Sequence, residues 1–214
     1  MDKNELLVKV CGITDAANAE EIAMLQPNMM GFILYPKSSR YIDFLKAKEI
    51  IALLPKGIKK VAVLVNEPLH RAKQIADSGT FDILQLHGNE SIEYCQSLAT
   101  RIPIMKAFGV VDRLPIELEA YSRCCTYFLF DTKSENYGGS GQKFNHEILR
   151  QYNNNLEFLI SGGIDLDDID SIIELKHEKL KGIDINSKFE ESAGIKDVNK
   201  VKKLIKKIKQ CTRK

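Results

Sequence analysis

The chain has no tryptophan, only five cysteines in 214 residues, and almost no net charge: +2, from 31 Lys and Arg against 29 Asp and Glu. The cysteines (Cys11, Cys95, Cys124, Cys125 and Cys211) are odd in number and show no Cys-x-x-Cys spacing, and no histidine stands near them in a zinc pattern. A disulfide framework and a structural metal are thereby disfavoured, so a reduced, cytoplasmic protein is expected. No apolar run approaches the roughly eighteen residues of a membrane span, and the opening MDKNELLVKVCG lacks the apolar core of a secretion signal. Nor does a Gly-x-Gly-x-x-Gly follow the first β-prone run, which weakens a dinucleotide-binding reading.

What is present is an ordinary globular composition, 44% hydrophobic and 28% charged, with an uneven charge distribution. From Lys196 to the end, nine Lys and Arg face one acid (Asp197), a local +8, whereas the preceding residues hold 22 bases and 28 acids. Within that basic end Val201, Leu204, Ile205 and Ile208 fall at i, i+3, i+4 and i+7. The spacing predicts an amphipathic helix with an apolar stripe on the fold and solvated lysines, cations that also suit the helix C-terminus. A nucleic-acid or membrane surface is disfavoured, because no aromatic residue accompanies the lysines.

Short apolar, β-prone runs alternate with longer amphipathic ones. Strands are predicted at 6–10, 30–34, 60–65, 83–86, 104–108, 127–130, 156–160 and 182–185. Helices are predicted from about Thr14, then at 43–54, 69–78, 92–99, 114–121, 144–152 and 167–175, and at the C-terminal end. Strands joined through crossover helices pair in parallel, and eight such units favour a single-domain α/β chain forming one closed (β/α)8 barrel over residues 1–214.

Catalytic groups of such a barrel lie at the C-terminal ends of its strands. The strand ends place Cys11, His87, Asp131 and Asp184 on one rim, with Arg40 in the loop after the second strand. A thiol and a carboxyl across a barrel mouth make a base and acid pair when their environments tune them oppositely. Ser161-Gly162-Gly163 after strand seven and Asn186-Ser187 after strand eight occupy the usual phosphate-binding place, where glycine lets backbone N–H groups approach an anion. Arg40 offers a planar fork for a carboxylate or phosphate.

The run of motifs Lys9-Val10-Cys11-Gly12-Ile13-Thr14, Gly31-Phe32-Ile33 leading to Ser39-Arg40-Tyr41, Gln85-Leu86-His87-Gly88, Phe130-Asp131-Thr132 with Gly138-Gly139-Ser140-Gly141, Ser161-Gly162-Gly163-Ile164, and Asp184-Ile185-Asn186-Ser187 with Gly194-Ile195-Lys196-Asp197 resembles the phosphoribosylanthranilate isomerases, in that family's order and over nearly the whole chain. The resemblance implies a cofactor-free, metal-free isomerase of tryptophan biosynthesis. Its substrate would be a small phosphosugar, N-(5′-phosphoribosyl)anthranilate, and the protein a monomer or homodimer. It also implies Asp131 as general acid, with a carboxyl pKa raised in the complex, and Cys11 as general base. Arg40 would hold the anthranilate carboxylate and Gly162, Gly163 and Ser187 the phosphate, with His87 and Asp184 as supporting polar groups. A lid at the Gly138–Gly141 loop is a further expectation. Bifunctional relatives use Asp where this chain has Cys11, which argues against a dual-substrate isomerase.

Departures from the family pattern are Ser39 for Pro, Asn145-His146 for Asp-Trp, Lys188-Phe189 for Gly-Val and Ala193 for Pro. If position 188 requires a positive φ, its lysine is strained.

Overall fold

The strands form over runs of three to seven largely apolar and β-branched residues, and each pairs in parallel with the next. The computed structural model describes residues 6–132 and 145–211. Its strands are β1 (Leu7–Cys11), β2 (Met29–Ile33), β3 (Lys59–Leu64), β4 (Ile83–Leu86), β5 (Ile104–Val110), β6 (Tyr127–Thr132), β7 (Phe158–Ile160) and β8 (Leu180–Ile185), closed in that order into a barrel. β1 closes on β8 with Lys9 opposite Asp184 and Val10 opposite Ile185.

Alternation along each strand sorts the side chains. Val8, Val10, Phe32, Leu64, Leu84, Phe128 and Ile160 pack outward against the helices in the main core. Met29, Val61, Ile83, Met105, Leu129 and Leu159 form a second apolar cluster inside the barrel. Further along the same inward parity come Lys9 and Cys11, Gln85, Asp131 and Ser161. The interior is therefore apolar toward one end and polar toward the other.

The helices are α1 (Ala16–Met24), α2 (Phe44–Leu53), α3 (Leu69–Asp77), α4 (Ile92–Ala99), α5 (Leu118–Ser122), α6 (Ile169–Glu174) and α7 (Val198–Cys211). Asp15, Asp43 and Ser91 cap α1, α2 and α4 by accepting from the N–H groups of Asn18, Leu45 and Tyr94. In α7 the predicted stripe Val201, Leu204, Ile205 and Ile208 is buried.

Three expectations change. The helix expected over 144–152 is a 3-10 turn, His146–Gln151, capped by Asn145. Ile148 and Leu149 of this turn, and Tyr152 just after it, are buried. The helix expected at 167–175 begins as a 3-10 turn, Leu166–Asp168, before α6. Between β8 and α7 lies an unpredicted antiparallel pair, β9 (Glu190–Ser192) and β10 (Ile195–Lys196). The Gly138–Gly141 loop lies outside the described residues. Among the described residues no helix is long and apolar enough to cross a membrane.

Candidate active site

One cavity opens at the polar end of the barrel. It is lined by Cys11, His87, Asp131, Gly162, Gly163, Asp184 and Ser187, among others, and so holds every predicted site residue except Arg40.

Cys11 ends β1, buried but facing the cavity. Gly12 then takes φ +81°, and the N–H groups of Gly12 and Ile13 both donate to the Gly31 carbonyl at 2.9 and 3.0 Å. A Cβ at Gly12 would lie 2.7 Å from Asn186 Oδ1, so only glycine turns the chain there. Two residues before the thiol, Lys9 is fully buried and its Nζ donates to Asp184 Oδ1 at 2.9 Å. Burial pushes the Cys11 thiol above its usual range, Lys9 opposes that rise, and Asp184 adds to it. Burial likewise raises the Asp184 carboxyl against the pull of Lys9.

Asp131 stands at the end of β6. Its Oδ1 accepts from the Thr132 N–H at 2.8 Å, and its Oδ2 lies 3.1 Å from His87 Nε2. His87 Nδ1 in turn lies 2.8 Å from Gln85 Nε2. With the Gln85 amide donating to Nδ1, the imidazole proton sits on Nε2 and points at Asp131. Gln85 Oε1 is buried with no hydrogen-bond partner among the described residues.

The remaining wall is backbone. Gly162 and Gly163 have φ +91° and +65°. A Cβ on Gly162 would collide with Thr132 Oγ1 and come within 2.9 Å of Asp131 Oδ1. The turn after β7 thus presses against Asp131, and its backbone lines the same cavity as Ser187 and Lys188.

Arg40 sits beside the cavity. Its Nε is 2.9 Å from both Glu190 carboxylate oxygens and its Nη2 2.7 Å from Oε2, a bidentate grip, while Nη1 reaches Ser39 Oγ at 3.3 Å. Glu190 Oε1 also accepts from the buried Lys196 at 2.6 Å, and Lys196 donates to Asn186 Oδ1 at 2.7 Å. Burial would raise the Glu190 carboxyl, but Arg40 and Lys196 outweigh it and hold it below the ordinary range.

The model of the family described as N-(5′-phosphoribosyl)anthranilate (PRA) isomerase matches residues 8–207. The chain belongs to this family. The N-(5′-phosphoribosyl)anthranilate isomerase of Parabacteroides distasonis is 39% identical over 95% of this chain and 93% of its own length. The crystal structure of the phosphoribosyl anthranilate isomerase from Thermotoga maritima superposes with a TM-score of 0.83 at 32% identity, covering 96% of this chain and 99% of that one. A further isomerase structure, in complex with reduced 1-(o-carboxyphenylamino)-1-deoxyribulose 5-phosphate, superposes at 0.79 with 29% identity, over 96% of this chain and 99% of that one.

The departures from the family pattern are accommodated locally. Lys188 belongs to a 3-10 turn, Ser187–Phe189, and is not among the positive-φ residues, so the feared strain does not arise. Ser39 supports the Arg40 guanidinium, and Asn145 caps the turn before β7. Four residues escaped the sequence reading: Lys9, Gln85, Glu190 and Lys196. Lys9 and Gln85 stood inside quoted motifs, and their inward strand parity was the available signal. Lys196 stood in the Gly194-Ile195-Lys196-Asp197 motif, and nothing local marked Glu190.

Proposed function

We propose that the chain converts N-(5′-phosphoribosyl)anthranilate to 1-(2-carboxyphenylamino)-1-deoxyribulose 5-phosphate, as a step of tryptophan biosynthesis, by general acid and base catalysis. The observation that carries this reading is the meeting of Cys11 and Asp131 on one cavity beside the Gly162-Gly163 turn and Ser187.

The phosphate binds the backbone of Gly162 and Gly163 and the Ser187 hydroxyl. Arg40 holds the anthranilate carboxylate through the guanidinium edge that Glu190 leaves uncovered. Anchors at both ends fix the ribose between acid and base and convert binding energy into orientation. Asp131 gives its proton to the ribose ring oxygen as the C1′–O bond breaks, leaving a Schiff base. The Cys11 thiolate then removes the C2′ proton, and the resulting enolamine tautomerises to the ketone. His87 orients the Asp131 carboxyl, and Asp184 supports the wall beside Cys11. The purified protein mixed with freshly made phosphoribosylanthranilate should extinguish its anthranilate-type fluorescence with turnover; folded protein that leaves the fluorescence unchanged refutes the reading.

A further inference from the structure

A lysine inside a barrel is costly, because removing an ammonium from water costs several kcal/mol even after the protein relaxes. Lys9 carries that cost with a side chain that is completely buried. Packing alone would be met by a methionine. The ammonium is directed at two groups. Its Nζ is 2.9 Å from Asp184 Oδ1 on the adjoining strand β8, and Cys11 stands two residues on, on the same inward face of β1. Both Nζ and Sγ converge over Gly31 of β2, where a Cβ would stand 2.8 Å from Cys11 Sγ and 3.2 Å from Lys9 Nζ. Gly31 leaves room for that contact.

We propose that Lys9 is a positioning residue for the base: its ammonium, anchored by Asp184, is the fixed cation beside which the Cys11 thiolate forms and keeps its place. The inference rests on the isomerase reading only for what the thiolate is used for. The thiol proton leaves to solvent, the sulfur stays paired with the ammonium, and during turnover the sulfur accepts the C2′ proton while Lys9 keeps its own. Charge on Lys9, opposed by burial, is secured by Asp184 and by Cys11. The other groups bearing on this pair are Lys196 from β10, which favours the thiolate, and Asp131 and His87, which act on Asp184 with opposite signs. Arg40 bears on Lys196, and β2 contributes only Gly31 at this point.

The test follows Cys11 ionisation directly. Thiolate ultraviolet absorbance is recorded against pH as the difference between each protein and its Cys11→Ser counterpart, in wild-type, Lys9→Met and Asp184→Asn backgrounds. Lys9→Met should move the Cys11 midpoint upward by at least about one pH unit, a tenfold smaller thiolate fraction at a given pH. The basic-form limb of its kcat profile should move with it. Asp184→Asn should move the midpoint the other way, because the ammonium then bears on the sulfur without its carboxylate. Midpoints that stay put, or that move in the same direction in both variants, overturn the proposal. If Lys9→Met does not fold, Lys9→Gln is titrated in its place, with the same upward shift expected and an unmoved midpoint overturning the proposal. Absence of wild-type turnover would sink the isomerase reading, yet the titrations would still answer for Lys9.

Discussion

In the proposed mechanism Cys11 and Asp131 differ in what they do to their protons, and their surroundings differ too. The thiol is buried beside a lysine, whereas the carboxyl is partly open and held by a histidine and a backbone N–H. Cys11→Ser replaces the base with a hydroxyl that does not ionise near neutrality, and Asp131→Asn leaves an amide with no acidic proton. Each should lower kcat by about 10²- to 10⁴-fold with the far-ultraviolet dichroism unchanged, the range a positioned acid or base contributes. Loss of only a few-fold in either variant, measured at saturating substrate, would remove that residue from the mechanism. Arg40→Lys tests a different role. A lysine cannot reproduce the bidentate grip on Glu190, so KM should rise more than kcat falls, and an unchanged KM would refute the carboxylate role. At this scale Cys11, Asp131 and the glycine turn were legible, because strand ends and short motifs are local signals. Lys9 was not assigned a role, because its burial is decided by Asp184, a partner 175 positions away.

Among the elements, the strands and most helices followed their own periodicity, whereas the β9–β10 hairpin did not. Its segments are two and three residues long, and what holds it is polar: Glu190 with Arg40 and Lys196, and Lys196 N–H and C=O both bonded to the Asn18 side chain of α1. Such pairing leaves no hydrophobic period to read. It does leave a pH signature. Because the native Glu190 carboxyl is held below its ordinary value, its stabilisation is fully present above the unfolded pKa and fades as the pH falls through the native one. The stability difference between wild type and Glu190→Gln, from urea unfolding, should therefore be largest near neutrality and shrink below about pH 4, where an unfolded glutamate begins to protonate. A difference independent of pH across that interval would show that Glu190 acts by packing and not by charge. The turn after β7 carries a steric counterpart. Gly162→Ala places a Cβ against Thr132 at a strongly positive φ, so both stability and phosphate affinity should fall, the latter read as a rise in KM or weaker inhibition by inorganic phosphate.

Over the whole molecule the charge asymmetry and the closure of the barrel are one feature. The basic end is α7, whose apolar stripe is buried against the fold and whose helix packs beside α1 and α6, on either side of the β1–β8 seam. Its lysines are mostly outward, with Lys200 and Lys207 paired to Asp165 and Asp170. The last helix thus covers the seam between the first and last strands, and we propose that the chain folds as a single domain only with α7 in place. Leu204 is completely buried in that stripe. Leu204→Ala should cost about 2–5 kcal/mol, the range for a large-to-small change in a packed core, while Lys203→Gln on the exposed side should stay within about 0.5 kcal/mol. In urea, backbone dichroism and tyrosine fluorescence should lose their signals together in both variants. A separate early transition in Leu204→Ala, with the rest of the barrel intact, would show that α7 is an appendage and not the closing element.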